Sequence, residues 1–258
     1  MHVVVDGPTD GPLVVLGPSL GTDLGLWDPQ AAALADEHRV LRFDLPGHGR
    51  SPVPRGPVTI ASIAADVLAA VDELGVHRFS YAGVSIGGAI GLQLALDAPD
   101  RVDRLVVLAS AARFPDPASW PLRAARVRSQ GTEFLVDSRT GAWFTPDFAA
   151  RHPGEAERLL AMLRATTPEG YAACAEAVGL HDVRDRLPAI TAATLVVAGG
   201  EDPVTPVPLV REIATGIDHA RFEVVSGVSH LVNAELPDVV SGLLREHLRV
   251  ASMRRRPT

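Results

Sequence analysis

The sequence holds one cysteine in 258 residues, Cys174, so no disulfide can form within the chain. That usage fits a reducing cytoplasm better than a secreted scaffold. No apolar run approaches the roughly 18 residues that a membrane span needs, and residues 1–10 lack the basic-then-apolar order of a secretory signal. Basic residues are in the minority, 24 against 31 acidic, and the net charge of −7 argues against nucleic acid as a partner. An anionic ligand would therefore need arginines gathered locally. The one basic run, Arg254-Arg255-Arg256, reads as a frayed terminal tail. The G-x-G-x-x-G spacing and the Walker lysine are both absent, which excludes the usual dinucleotide and P-loop sites. No second His or Cys stands at a metal-ligand spacing from His48, so His48 reads as a turn element.

What the sequence does have is apolar mass: 47% hydrophobic residues, enough for a large core without staples. Short β-branched runs at 13–16, 40–43, 79–82, 105–108, 195–198 and 222–225 read as buried parallel strands. Helical patterns at 29–37, 60–74, 87–98, 207–215 and 237–248 lie between or after them. The alternation predicts a doubly wound, mostly parallel α/β sheet. It breaks once, from 111 to 190, where helical patterns and proline punctuation run without strands. That is too long for a plain loop. The expectation is a core of 1–110 and 191–258 carrying a helical cap insertion at 111–190.

The chemistry centres on Gly83-Val84-Ser85-Ile86-Gly87-Gly88, between a strand and a helix. A serine on such a sharp turn needs small neighbours, and the turn lifts its hydroxyl above the sheet. The Ile86 N–H at the helix start can then hold an oxyanion. A nucleophilic serine needs a base and an orienting acid downstream. Asp202, in Gly200-Glu201-Asp202-Pro203 after a strand, is the acid; Glu201 is its competitor, and capping of the next helix its bland alternative. His230, in Gly227-Val228-Ser229-His230, follows the last strand and completes the order Ser…Asp…His. Of the other histidines, His38, His77, His152, His219 and His247 read as surface residues at helix ends and turns. The second oxyanion donor is expected from Gly17-Pro18-Ser19-Leu20-Gly21-Thr22, at the Leu20 N–H.

These pieces, with Trp27-Asp28, the 44–51 loop, Trp143-Phe144-Thr145-Pro146 and the 167–174 stretch, resemble the 3-oxoadipate enol-lactonases of the β-ketoadipate pathway, within the α/β-hydrolase superfamily. The resemblance covers nearly the whole chain, and its cap pieces are the narrower part. Many superfamily members carry His-Gly where this chain has Pro18-Ser19; the lactonases look more like this one.

The resemblance implies a serine acyl-enzyme acting on a lactone that carries a carboxylate, with no metal or organic cofactor. It makes Arg123, near Trp120, the cap residue that meets that carboxylate, with Arg126 and Arg128 close by; the bland alternative is a solvated helix face. Trp143 becomes a pocket wall or a core residue. Some relatives are fused to a carboxymuconolactone decarboxylase domain, so this chain is expected to be either free-standing or one half of such a pair. The rival readings are a carboxylesterase, a cofactor-free perhydrolase or a C–C bond hydrolase with the same triad, and a non-catalytic ligand receptor on the same fold. Dehalogenases and epoxide hydrolases need a carboxylate where Ser85 stands.

Overall fold

The computed structural model describes residues 1–249; Arg254-Arg255-Arg256 lies outside the described residues. The apolar runs form strands and the amphipathic stretches form helices. The chain begins with β1 (Val3–Asp6), β2 (Leu13–Gly17), α1 (Asp28–Leu34), β3 (Arg39–Phe43), α2 (Ile60–Glu73), β4 (Phe79–Val84), α3 (Ile86–Asp97) and β5 (Val102–Leu108). Five helices follow: α4 (Ser119–Gln130), α5 (Glu133–Val136), α6 (Pro146–Arg151), α7 (Pro153–Ala165) and α8 (Pro168–Leu180). The alternation then resumes with β6 (Ala193–Gly199), α9 (Val207–Gly216), β7 (Arg221–Val225), α10 (Val232–Glu235) and α11 (Pro237–Leu248).

The strands form one seven-stranded sheet in the order β1-β3-β2-β4-β5-β6-β7. All neighbours run parallel except β1, which pairs antiparallel with β3 and sets Val3 opposite Phe43. Every residue of β2 is buried, as expected of a parallel strand covered on both faces. α2 shows how a crossover helix is specified. Thr59 and Ser62 close a reciprocal cap at its start, and Ile60, Ile63, Ala64, Val67 and Val71 turn one stripe inward. The six parallel strands stand where the apolar runs predict them. β1 does not announce itself: it is four residues long and only partly buried, so it lacks a run that would mark it.

Two histidines expected at the surface are in the interior. His38 and His247 are each 7% exposed. Burial lowers the pKa of both, which favours their neutral forms. Each ends an amphipathic stretch, and the fold tucks those ends against the sheet. Among the described residues no helix is long and apolar enough to cross a membrane.

The helices between β5 and β6 are fastened to the rest of the chain at defined points. The Thr167 N–H and hydroxyl both donate to the Gly47 carbonyl, at 3.2 and 2.8 Å. At the same place a Cβ on Gly47 would lie 2.5 Å from the Gly170 Cα, so the 44–51 loop and α8 meet backbone to backbone.

Candidate active site

Ser85, Asp202 and His230 stand beyond the C-terminal ends of β4, β6 and β7, the edge of an open parallel sheet where ligands bind. Ser85 is held at φ +58° and ψ −120°, a conformation that costs a non-glycine residue on the order of 1–3 kcal/mol. The surroundings enforce it. The Ser85 N–H donates to Leu108 O at 2.9 Å, and its carbonyl accepts from the Ser110 hydroxyl at 2.7 Å and the Ala89 N–H at 3.1 Å. A Cβ on Gly83 would sit 2.2 Å from Gly87 O, and one on Gly87 would sit 2.3 Å from Gly17 O. Both flanking glycines are therefore required by contact, not only by turn chemistry.

Asp202 reaches His230 directly, with Oδ2 2.8 Å from Nδ1. Its other contacts are donors: the Val204 N–H at 2.7 Å and Thr205 N–H at 3.1 Å on Oδ1, and the Thr205 hydroxyl at 2.6 Å on Oδ2. Burial pushes this carboxyl upward, but the adjacent His230 and the His230 and Thr205 hydrogen bonds outweigh it and hold its pKa below the ordinary value. Glu201 is exposed, so Asp202 is the residue on the histidine. With Nδ1 turned to the carboxylate, Nε2 is left as the proton-accepting nitrogen of the neutral ring. Ser85, Asp202 and His230 are 6%, 5% and 2% exposed, so all three are buried.

The two N–H groups expected as oxyanion donors have no committed partner among the described residues. Ile86 is the first residue of α3, where an N–H has no intrahelical acceptor. In the 17–22 loop, the Ser19 N–H donates to Thr22 Oγ1 and the Gly21 N–H donates to His48 Nε2, both at 3.1 Å. Among the described residues the Leu20 N–H between them has no hydrogen-bond acceptor. His48 is thus more than a turn element. Its Nδ1 bonds Pro46 O at 2.9 Å while Nε2 accepts from Gly21, so it props the 17–22 loop in one tautomer. Sequence spacing carries no sign of this, because the partners are 27 residues apart.

Burial pulls the His48 pKa down to about 4, against the bonds to Pro46 and the nearby Asp44 charge. In the unfolded chain it returns to about 6.5. Between those values the unfolded state binds the extra proton, so this contribution to stability is complete above about pH 6.5 and lost as the pH falls toward 4. Urea unfolding at a series of pH values should show that decline, and a shallower one in His48→Gln. Parallel curves for the two proteins would mean that His48 is not buried neutral.

The residues that the sequence singles out as candidates for substrate binding lie between β5 and β6. The Trp143 indole is buried against the 17–22 loop: a Cβ on Gly21 would be 3.3 Å from its Cζ2. Arg123 lies over the Trp120 ring at 4.6 Å, Arg126 over Phe134 at 3.8 Å and Arg139 near Trp143 at 5.7 Å. The three line one open groove of about 460 Å³. Among the described residues none of them pairs with a carboxylate, whereas Arg113, Arg128, Arg151, Arg158, Arg164, Arg184 and Arg186 all do. Arg128, close to Arg123 in sequence, is consumed by Glu169 and Glu176. Burial lowers the Arg139 pKa; Tyr171 opposes this and the Arg123 charge adds to it. Arg139 has no motif around it and is found only through the groove.

The α/β-hydrolase fold family matches residues 12–237. The chain is 37% identical to 3-oxoadipate enol-lactonase 2 of Acinetobacter baylyi, over 90% of this chain and 86% of that one. It is 35% identical to enol-lactonase 1 of the same organism, over 92% and 89%. The enol-lactonase of Burkholderia xenovorans superposes with a TM-score of 0.93 at 37% identity, covering 96% of this chain and 95% of that one. Fold, sheet order and overall likeness agree: the chain belongs to the α/β-hydrolase family and, within it, to the 3-oxoadipate enol-lactonases.

Proposed function

We propose that the protein opens 3-oxoadipate enol-lactone to 3-oxoadipate in aromatic catabolism, through an acyl-enzyme on Ser85. The observation that carries the reading is the buried Asp202–His230 pair beyond the strained serine turn. His230 Nε2 takes the Ser85 proton as Oγ attacks the lactone carbonyl. The oxygen that gains charge is held by the Leu20 and Ile86 N–H groups, each worth about 3 kcal/mol of barrier. The ring C–O bond breaks, and His230 returns the proton to the departing enol oxygen, which tautomerises to a ketone. Water then adds to the acyl carbonyl with His230 as base, Ser85 Oγ leaves and recovers its proton, and the diacid is released.

The substrate's free carboxylate has to be held in a protein of net charge −7. Arg123 is our first choice to hold it, with Arg139 beside it, since neither has a carboxylate of its own among the described residues. Trp143, between Arg139 and the oxyanion loop, would wall the pocket. Hydrolysis assays on a panel containing the enol-lactone and neutral aryl esters test the reading; faster turnover of the esters would make the protein a general carboxylesterase. Arg123→Ala should move the ratio of kcat/KM for the anionic lactone over a neutral ester by about tenfold to a hundredfold, the worth of one charge-assisted hydrogen bond. An unchanged ratio would mean that Arg123 is a solvated residue and that the carboxylate is held elsewhere.

A further inference from the structure

His230 sits in a loop fastened on both sides to one turn of the cap. On one side the Ser229 hydroxyl donates to Ala142 O at 2.7 Å. On the other the Leu231 N–H donates to Trp143 O at 2.7 Å. A third tie runs through Glu235, at the end of α10 and 7% exposed. Its Oε1 accepts the Ser229 N–H at 2.5 Å, and its Oε2 accepts the Thr145 N–H at 2.9 Å and the Thr145 hydroxyl at 2.7 Å. All three partners are donors. A carboxylate can accept on both oxygens at once; an amide presents two N–H groups on one side and would face a donor with a donor. The cap turn is itself stiff, because the Trp143 N–H donates to Arg139 O and the Gly141 N–H to Phe144 O, both at 2.7 Å.

From this we infer that Glu235 and the cap turn 141–145 position His230: the cap does not only cover the serine, it sets the aim of the base. The inference rests on His230 acting as the base for Ser85, as proposed above. Glu235 touches neither Ser85 nor the Asp202 carboxylate among the described residues, so it is a positioning residue that works through the Ser229 backbone.

The readout is the rate at which a small fluorophosphonate labels Ser85. That reaction needs the serine deprotonated by a well-aimed base and needs no recognition of a substrate carboxylate. Glu235→Gln should slow labelling about tenfold, since misplacement of a catalytic group by a fraction of an ångström is costly. On a neutral aryl ester it should lower kcat with KM nearly unchanged. Thr145→Val should slow labelling about threefold, and the double variant should be little worse than Glu235→Gln alone, because both changes cut one tie. Thr145 also caps α6, so Thr59→Val, which removes the equivalent cap of the remote α2, is the control. It should cost similar stability and leave labelling unchanged.

If Glu235→Gln does not fold, Thr145→Val and Ser229→Ala carry the test alone. Labelling at the wild-type rate in folded Glu235→Gln, or in both milder variants, overturns the inference while leaving the serine mechanism intact. A wild-type protein that is not labelled at Ser85 overturns both.

Discussion

Replacing Ser85 by alanine should lower kcat on the enol-lactone by a factor on the order of 10⁶, the size seen when a triad nucleophile acts as one unit with its base. The fold should hardly register the change. Alanine keeps the Cβ, so the residue still pays for φ +58°, and the bonds that pin this backbone come from the Leu108 carbonyl, the Ser110 hydroxyl and the Ala89 N–H, not from the Ser85 hydroxyl. Thermal unfolding of the variant within a degree or two of the parent, beside single-turnover kinetics, is the decisive pairing. A folded Ser85→Ala protein that kept more than a few per cent of turnover would remove Ser85 from the chemistry.

Asp202→Asn should lower kcat by about 10⁴ with KM nearly unchanged, as for the orienting aspartate of a serine protease. The contacts say why. The Val204 and Thr205 N–H groups both point at Oδ1, so an asparagine must turn its carbonyl oxygen there. The amide NH₂ then takes the place of Oδ2, opposite His230 Nδ1 and the Thr205 hydroxyl. The hydroxyl can rotate and accept, but the imidazole can accept only by moving its proton to Nε2, where it is useless as a base. Two outcomes separate cleanly: a large loss in kcat at constant KM supports the tautomer argument, and equal activity in both proteins would move the orienting role to another group.

The features legible in the sequence are those whose cause is local. The parallel strands follow from unbroken apolar runs, and the serine turn from glycines two residues either side of Ser85. Asp202 and His230 follow from the order of loops after strands. What was hidden depends on partners far along the chain. His48 is 27 residues from the Gly21 it supports, and Glu235 is 90 from the Thr145 it accepts from. His38 and His247 look like helix-end surface residues until tertiary packing covers them. Arg139 shares with Arg123 and Arg126 the lack of a carboxylate partner among the described residues, a property that no sequence window displays.

The three ties between the cap turn and the His230 loop bear on how such an enzyme can change. Here the core supplies donors and a carboxylate whose counterparts, the carbonyls of Ala142 and Trp143 and the hydroxyl of Thr145, belong to the cap. A foreign cap would arrive without those counterparts in register, and the loss would fall on turnover even for a substrate that fits. Selection for a new substrate must therefore either preserve this short turn while the rest of the cap drifts, or rebuild both sides of the seam together. If Glu235 and the 141–145 turn set the aim of His230, that turn is constrained by turnover as well as by fit, although none of its side chains performs the reaction.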